Sequence, residues 1–503
     1  MTRAATPVGY AALTALYDIK ALAHYRKSYI LTHGTPYSER YNSEETHYYP
    51  RKYFPKDIQN PLNHIEFALK YDGVNLEILF NVFTKLEPRV LENYIRSQPT
   101  SKIARKIWYL YEFLTAQALD LENASGGSYT LLLDPQEFYT CAPTRSRRHY
   151  IDDNMLGNRE FCPIVRRTET LKKYEEQNLA KIASELIELY DTATISRAVN
   201  YLYVKETMSS YEIEREKPDS ARTQRFVEAL RRADHIGTLS KQALIELQNI
   251  IVDPRYANKE YRDFQNYIGI QTRLDMHHSL IEYIAPKPED VPQMMQGWLS
   301  SLLRMMQSGV HPVIIGAAAS FGFVFIHPFE DGNGRLHRFL IHYIFVMSGF
   351  VPKGAIFPIS ATILKDMNSY DSLLEGISKP LIYLIKDFQL DAQGKLTVFS
   401  NTATHYRYID YTLFAEYLFK CVEKTIFTDF KNELNYIVNF DKAKKLIQNV
   451  VDMPDNKIHL FIQCVLQNHG QLSAKKRESI FSALTDSEVQ SMEKIVRENM
   501  HDA

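Results

Sequence analysis

His327-Pro-Phe-Glu-Asp-Gly-Asn-Gly-Arg-Leu-His-Arg338 is the stretch from which the rest of the chain can be read. An unperturbed imidazole titrates near 6.5, so His327 can act as a general base at neutral pH. Asp331 offers hard carboxylate oxygen of the kind Mg²⁺ takes while keeping most of its waters. Gly332 and Gly334, flanking Asn333, lack Cβ atoms and let backbone N–H groups close on an anion. Beyond Gly334 the chain reads as a helix, which puts those amides at its positive end. Leu336, Phe339, Leu340, Tyr343, Ile344 and Met347 recur at helical spacing and predict one buried face. Ser348-Gly349 predicts its stop, with glycine as the left-handed cap. Arg335 and Arg338, three apart, can both reach a polyphosphate tail. The pattern GxxxxGK[ST] is absent from the chain, which excludes a P-loop.

With Phe329 included, His327-Pro-Phe-x-Asp-Gly-Asn-Gly-Arg-x-x-Arg338 resembles the full active-site motif of the Fic (Fido) family. Its members mostly transfer AMP from ATP to a protein hydroxyl. The resemblance implies that His327 deprotonates the target hydroxyl, Phe329 anchors the loop and Asp331 holds Mg²⁺. It implies that Asn333 and the amides of Gly332 and Gly334 cradle the phosphates. Arg335 would contact the outer phosphates and Arg338 the γ-phosphate. Upstream, Ser210-xxx-Glu214 places two side chains on adjacent turns of one helix face. It is similar to the family's inhibitory pattern [Ser/Thr]-xxx-Glu-[Gly/Asn], which implies that Glu214 occupies Arg338 and blocks productive ATP binding. Arg215 stands where that pattern has Gly or Asn. By position, Tyr370 and Leu374 would flank the nucleoside.

The expected fold is mainly α: a Fic helical core with a short β-hairpin flap and accessory domains on either side. The expected boundaries are 1–165, 166–396 and 397–503. Formal net charge is −1 over 503 residues, so no global field recruits nucleic acid or an anionic membrane, and nucleic acid is not an expected partner. The four cysteines, Cys141, Cys162, Cys421 and Cys464, show no metal spacing and read as reduced thiols. No signal-peptide h-region opens the sequence, and the uncharged run from Val313 to Ile326 is too short to span a bilayer, so a cytoplasmic location is expected. The expected partners are ATP and a hydroxyl-bearing protein docked on the 261–292 flap, with a homodimer as one option. UMP, GMP or phosphocholine transfer, de-AMPylation and a nucleotide-binding transcriptional regulator are the alternatives.

Along the chain, Tyr37 to Pro55 is polar and aromatic without a period and predicts an irregular segment. Helices are predicted at 62–69, 75–86, 88–97 and 102–119, then a short strand at 129–133. The basic cluster Arg145 to His149 reads as a solvated loop or a phosphate patch, partly neutralised by Asp152 and Asp153. Long helices follow: 171–190, 196–210, 222–237 and 239–251. Tyr267 to Thr272 and Ser279 to Ala285 predict the flap, and the adjacent His277 and His278 read as turn residues. Helices at 291–309 and 313–325 lead into the motif, the second with Gly316 to Ala319 permitting close contact. The C-terminal region predicts helices at 408–424, 429–451, 456–468 and 472–484. Thr485-Asp-Ser-Glu488 is a capping box for a last one. Lys475-Lys-Arg477 raises helix-turn-helix DNA binding, though an accessory role is favoured.

Overall fold

The computed structural model describes residues 5–41, 44–271, 279–352, 354–391 and 393–500. The protein is mainly helical with small sheets. The strands that matter here are β1 (Ala5–Val8), β2 (Arg26–Leu31), β3 (Tyr37–Tyr41), β4 (Glu44–Tyr49), β5 (Tyr267–Gln271) and β6 (Ser279–Ile284). The helices are α1 (Lys102–Thr115), α2 (Thr192–Ile213), α3 (Lys241–Ile251), α4 (Gly322–Ile326), α5 (Asn333–Met347), α6 (Ile359–Lys365), α7 (Ala474–Ser479) and α8 (Asp486–Asn499). Contacts divide the chain into two compact units. The first joins Met1–Lys173, Arg232–Ser348 and Met367–Leu418; the second joins Tyr174–Arg231, Gly349–Asp366 and Phe419–Ala503.

In the first unit α1 turns Ile107, Leu110, Tyr111 and Leu114 inward, all of them buried. Ser101 caps it by accepting the Ala104 N–H, and Ala116 ends it at φ 57°, earlier than expected. The stretch expected to be irregular is β-structure: β3 and β4 complete a sheet of order β1-β2-β4-β3. Its aromatics pair across strands, Tyr37 stacking on Tyr48 with ring centroids 4.3 Å apart. Tyrosine and charge occupy both faces, so the alternation that marks a half-buried strand is missing. The basic cluster is partly paired within the chain, with Arg145 and Arg147 exposed. Arg148 donates to Glu112 and to the Leu119 and Leu121 carbonyls, and Arg145 to Asp152.

The segment entering the motif is helical from Pro312 to Ile326, with a wider turn at Ala317–Phe321. Close packing requires glycine at 322, where a Cβ would lie 2.4 Å from the Phe161 ring. The motif helix α5 is buried on every side rather than along one stripe: Ile341, His342 and Phe345 are buried as well as Leu336, Phe339, Leu340 and Ile344. It is therefore a central core helix. Gly349 at φ 67° follows its end, as predicted. The flap strands β5 and β6 pair antiparallel, from Tyr267↔Ile284 to Gln271↔Ser279. His277 and His278 lie outside the described residues.

In the second unit α2 packs on α6. The buried Glu206 carboxylate accepts the Ser360 N–H at 2.8 Å and its hydroxyl at 2.5 Å, a negative charge at the start of α6. The helix predicted over 171–190 is broken at Asn178, φ 49°. The helix predicted over 472–484 shrinks to α7, six residues long. Arg477 is turned onto the Phe481 and Leu484 carbonyls while Lys475 and Lys476 stay exposed, and at six residues the segment lacks the length of a recognition helix. The Thr485–Glu488 capping box opens α8 as expected. Among the described residues no helix is long and apolar enough to cross a membrane.

Candidate active site

His327 ends α4 in the left-handed region, φ 53°. Its Nδ1 lies 3.2 Å from the Val324 carbonyl oxygen. A carbonyl can only accept, so Nδ1 carries a proton, and in the neutral ring Nε2 bears the lone pair. Two residues on, Phe329 is fully buried, its ring near Tyr261 and Phe323. That agrees with an anchoring role.

Asn333 is bonded to the loop that precedes it. Its Oδ1 accepts the Phe329 N–H at 3.0 Å and its Nδ2 donates to the Phe329 carbonyl at 2.8 Å. Both ends of the amide staple the loop, and the side chain is 2% exposed. Gly332 turns the loop into α5 at φ 88°, and a Cβ there would meet Val252 at 2.8 Å. Asp331 Oδ1 accepts the Gly332 N–H at 2.6 Å and the Arg335 guanidinium at 2.5 Å. Arg335 and Arg338 are 1% and 2% exposed, two cations held in the first turns of a core helix.

Between them in sequence, His337 is buried against Phe321, 4.4 Å away. Burial pushes its imidazole down to about 3, and the Arg338 charge adds to the effect, so it stays neutral near pH 7. Tyr370 is 4% exposed and lies within 6.3 Å of Phe321, His337 and Tyr417. Its ring belongs to the core layer beneath α5. Gln248 on α3 was not legible as a site residue. Fully buried, it donates to the Asp331 carbonyl at 3.2 Å and to the Tyr256 carbonyl at 3.0 Å, pinning the loop from behind. A glutamine in an amphipathic helix reads as a solvated position, and nothing local marks it otherwise.

Ser210 is buried on α2, and Glu214 caps that helix at an exposed position. The Arg215 N–H reaches the Glu212 carbonyl at 2.8 Å and the Glu216 N–H the Tyr211 carbonyl at 3.0 Å. That pair of bonds is a Schellman turn, and Arg215 occupies its left-handed position at φ 58°. That position suits Gly or Asn, and here arginine meets it under strain.

Among the described residues no group of three or more His, Cys, Asp or Glu side chains could hold a metal. Mg²⁺ needs no such cage, because one or two carboxylates, waters and substrate phosphates satisfy it. Asp331 fits that mode, one oxygen being tied to the loop and its side chain 37% exposed.

Residues 238–345 match the family model described as Fic/DOC family. The chain carries a Fic domain. Over 222 residues it is 23% identical to "Protein adenylyltransferase Fic" of Nematostella vectensis, covering 40% of this chain and 51% of that one. Over 101 residues it is 34% identical to the protein of the same name from Drosophila willistoni, covering 20% and 18%. The chain therefore spans about half the length or less of the curated relatives it matches. Among solved structures, a Fic-domain-containing signaling protein of Bacteroides thetaiotaomicron aligns with 51% of this chain and 96% of its own, at 17% identity and TM-score 0.35. A Fic family protein of Desulfovibrio desulfuricans aligns with 65% and 87%, at 17% identity and TM-score 0.34.

Proposed function

We propose that this Fic-domain protein transfers AMP from ATP to a Ser, Thr or Tyr hydroxyl of a protein. The observation that carries the reading is the complete motif, wound so that the Nε2 lone pair of His327, the Asp331 carboxylate and the Arg335 and Arg338 cations come from one loop and the helix after it. The hydroxyl oxygen attacks the α-phosphorus in line, its proton passes to His327 Nε2, and pyrophosphate leaves. Arg335 and Arg338 hold the outer phosphates, and the amides at the start of α5 face the same charge. Mg²⁺, when bound at Asp331, neutralises phosphate charge. The flap strands would receive an extended target segment by strand addition, which positions a hydroxyl with little sequence preference.

In this reading region 397–503 is a helical accessory or target-selecting domain, and Glu214 restrains the enzyme by occupying Arg338. Incubation of the full chain with ATP and a lysate, followed by intact mass measurement, tests transfer. A mass gain of one AMP on a protein band supports it; a gain matching another nucleotide or phosphocholine moves the assignment to that donor. Loss of AMP from a modified protein identifies the reverse reaction. No change on any protein with any donor defeats the transferase reading.

A further inference from the structure

Arg262 is a buried cation, 5% exposed, in the segment just before the flap. It donates to the His327 carbonyl from Nε at 2.7 Å, to the Phe264 carbonyl from Nη1 at 2.8 Å and to the Pro286 carbonyl from Nη2 at 2.6 Å. Its own backbone N–H reaches the Pro328 carbonyl at 2.9 Å. No carboxylate lies within salt-bridge distance of it among the described residues. One guanidinium thus ties the entry of the flap (Phe264), its exit (Pro286) and the backbone of the proposed base.

A bare buried charge is expensive unless fully hydrogen-bonded, and here it is spent on carbonyls alone. The position suits it. The carbonyls at the end of α4 carry the negative end of the helix, and His327 follows in a left-handed conformation that costs a non-glycine residue about 1–2 kcal/mol. A fork with fixed spacing between its donors, locked between flap and loop, holds that conformation and its register to the strands. Two tyrosines complete the frame: Tyr283 donates to the Phe325 carbonyl, and Tyr406 to the Ile284 carbonyl at the end of β6.

We infer that Arg262 is a positioning residue for His327, fixing the distance between the base and a hydroxyl presented on the flap. The inference rests on the reading of His327 as general base. Misplacement of a catalytic group by about 1 Å costs on the order of 100-fold in rate. Arg262 touches neither the phosphate-binding amides nor Arg335 and Arg338, so nucleotide affinity is left intact.

The test uses the full chain carrying Glu214→Gly, a background that raises the starting rate or leaves it unchanged. Auto-modification, AMP release and ATP affinity are measured for Arg262→Gln, Arg262→Lys and His327→Ala. Arg262→Gln is expected to lower the turnover rate about 10- to 100-fold, with ATP affinity and KM for ATP within about twofold of the background. Arg262→Lys, which keeps the charge but not the fork, is expected to recover less than about tenfold. A turnover rate within twofold of the background for both Arg262 variants, with His327→Ala inactive, overturns the role of Arg262 alone. Normal turnover in His327→Ala overturns the general-base reading, and this inference with it. Loss of ATP affinity in parallel with turnover in both Arg262 variants marks a residue needed only for folding and also overturns the inference. If Arg262→Gln does not fold, Arg262→Lys is judged by the same criteria.

Discussion

At the scale of single residues, His327 and Asn333 make opposite predictions. His327→Ala should lower transfer about 10²–10⁴-fold while ATP affinity stays unchanged, because the imidazole acts on the acceptor; equal rates would remove it from the mechanism. Asn333→Ala leaves the Phe329 N–H and carbonyl without their partner, at about 1–3 kcal/mol for each buried group. Both the melting temperature and ATP affinity should then fall. Asn333→Asp should not rescue them, since a carboxylate can serve the N–H but opposes the carbonyl. A variant that melts like wild type yet loses ATP would instead support the phosphate contact that the motif resemblance implies. The motif itself was legible because its chemistry is local in sequence. Gln248 and Arg262 were not: their bonds to the motif loop go to the Asp331 and His327 carbonyls, far away in the chain, and a hydrogen bond to a carbonyl leaves no side-chain partner there to find.

At the scale of elements, the end of α2 explains the one departure from the inhibitory pattern. Arg215 sits where the Schellman turn wants glycine, so Arg215→Gly should relieve about 1–2 kcal/mol of left-handed strain, offset in part by the greater freedom of glycine in the unfolded chain. Denaturant unfolding should show a modest net gain. Glu214→Gly speaks to inhibition rather than stability. A charge-assisted bond worth about 1.5–3 kcal/mol corresponds to roughly 10–150-fold in affinity. Auto-modification at subsaturating ATP should therefore rise at least about tenfold by that arithmetic. Equal rates would leave Glu214 as an ordinary cap. Most helices were legible from their period. The failures share a cause: β3 and β4 carry tyrosine and charge on both faces, Asn178 breaks a continuous stripe with one left-handed residue, and α5 is buried all round where its stripe suggested one face.

At the scale of the whole molecule, the shift towards long helices after residue 166 could be read, but the contacts that close each unit could not. In the first unit Glu77 meets His405 across 328 positions, and Arg166 meets Asp410 across 244. The second unit has a comparable clasp at Asp429. Its carboxylate, 3% exposed, accepts from Lys205 on α2 at 2.9 Å, from Lys365 at the end of α6 at 2.6 Å and from Thr362 at 3.2 Å. Burial alone would raise its pKa, but Lys365 and Lys205 outweigh it and hold the carboxyl below its ordinary range. A depressed folded-state pKa contributes stability that is fully present above the unfolded value, about 3.9 for Asp, and is lost as pH falls through the folded one. Asp429→Asn should therefore destabilise the protein at pH 7, by about 1–3 kcal/mol for lost charge-assisted bonds whose lysines can turn to water. The difference from wild type should shrink below about pH 4. Because the clasp joins α2 to α6, hydrogen exchange should quicken in α2 and α6 while the core of α5 keeps its protection. Equal acceleration in α5 would mean that the clasp serves the fold as a whole and not the element that carries Glu214.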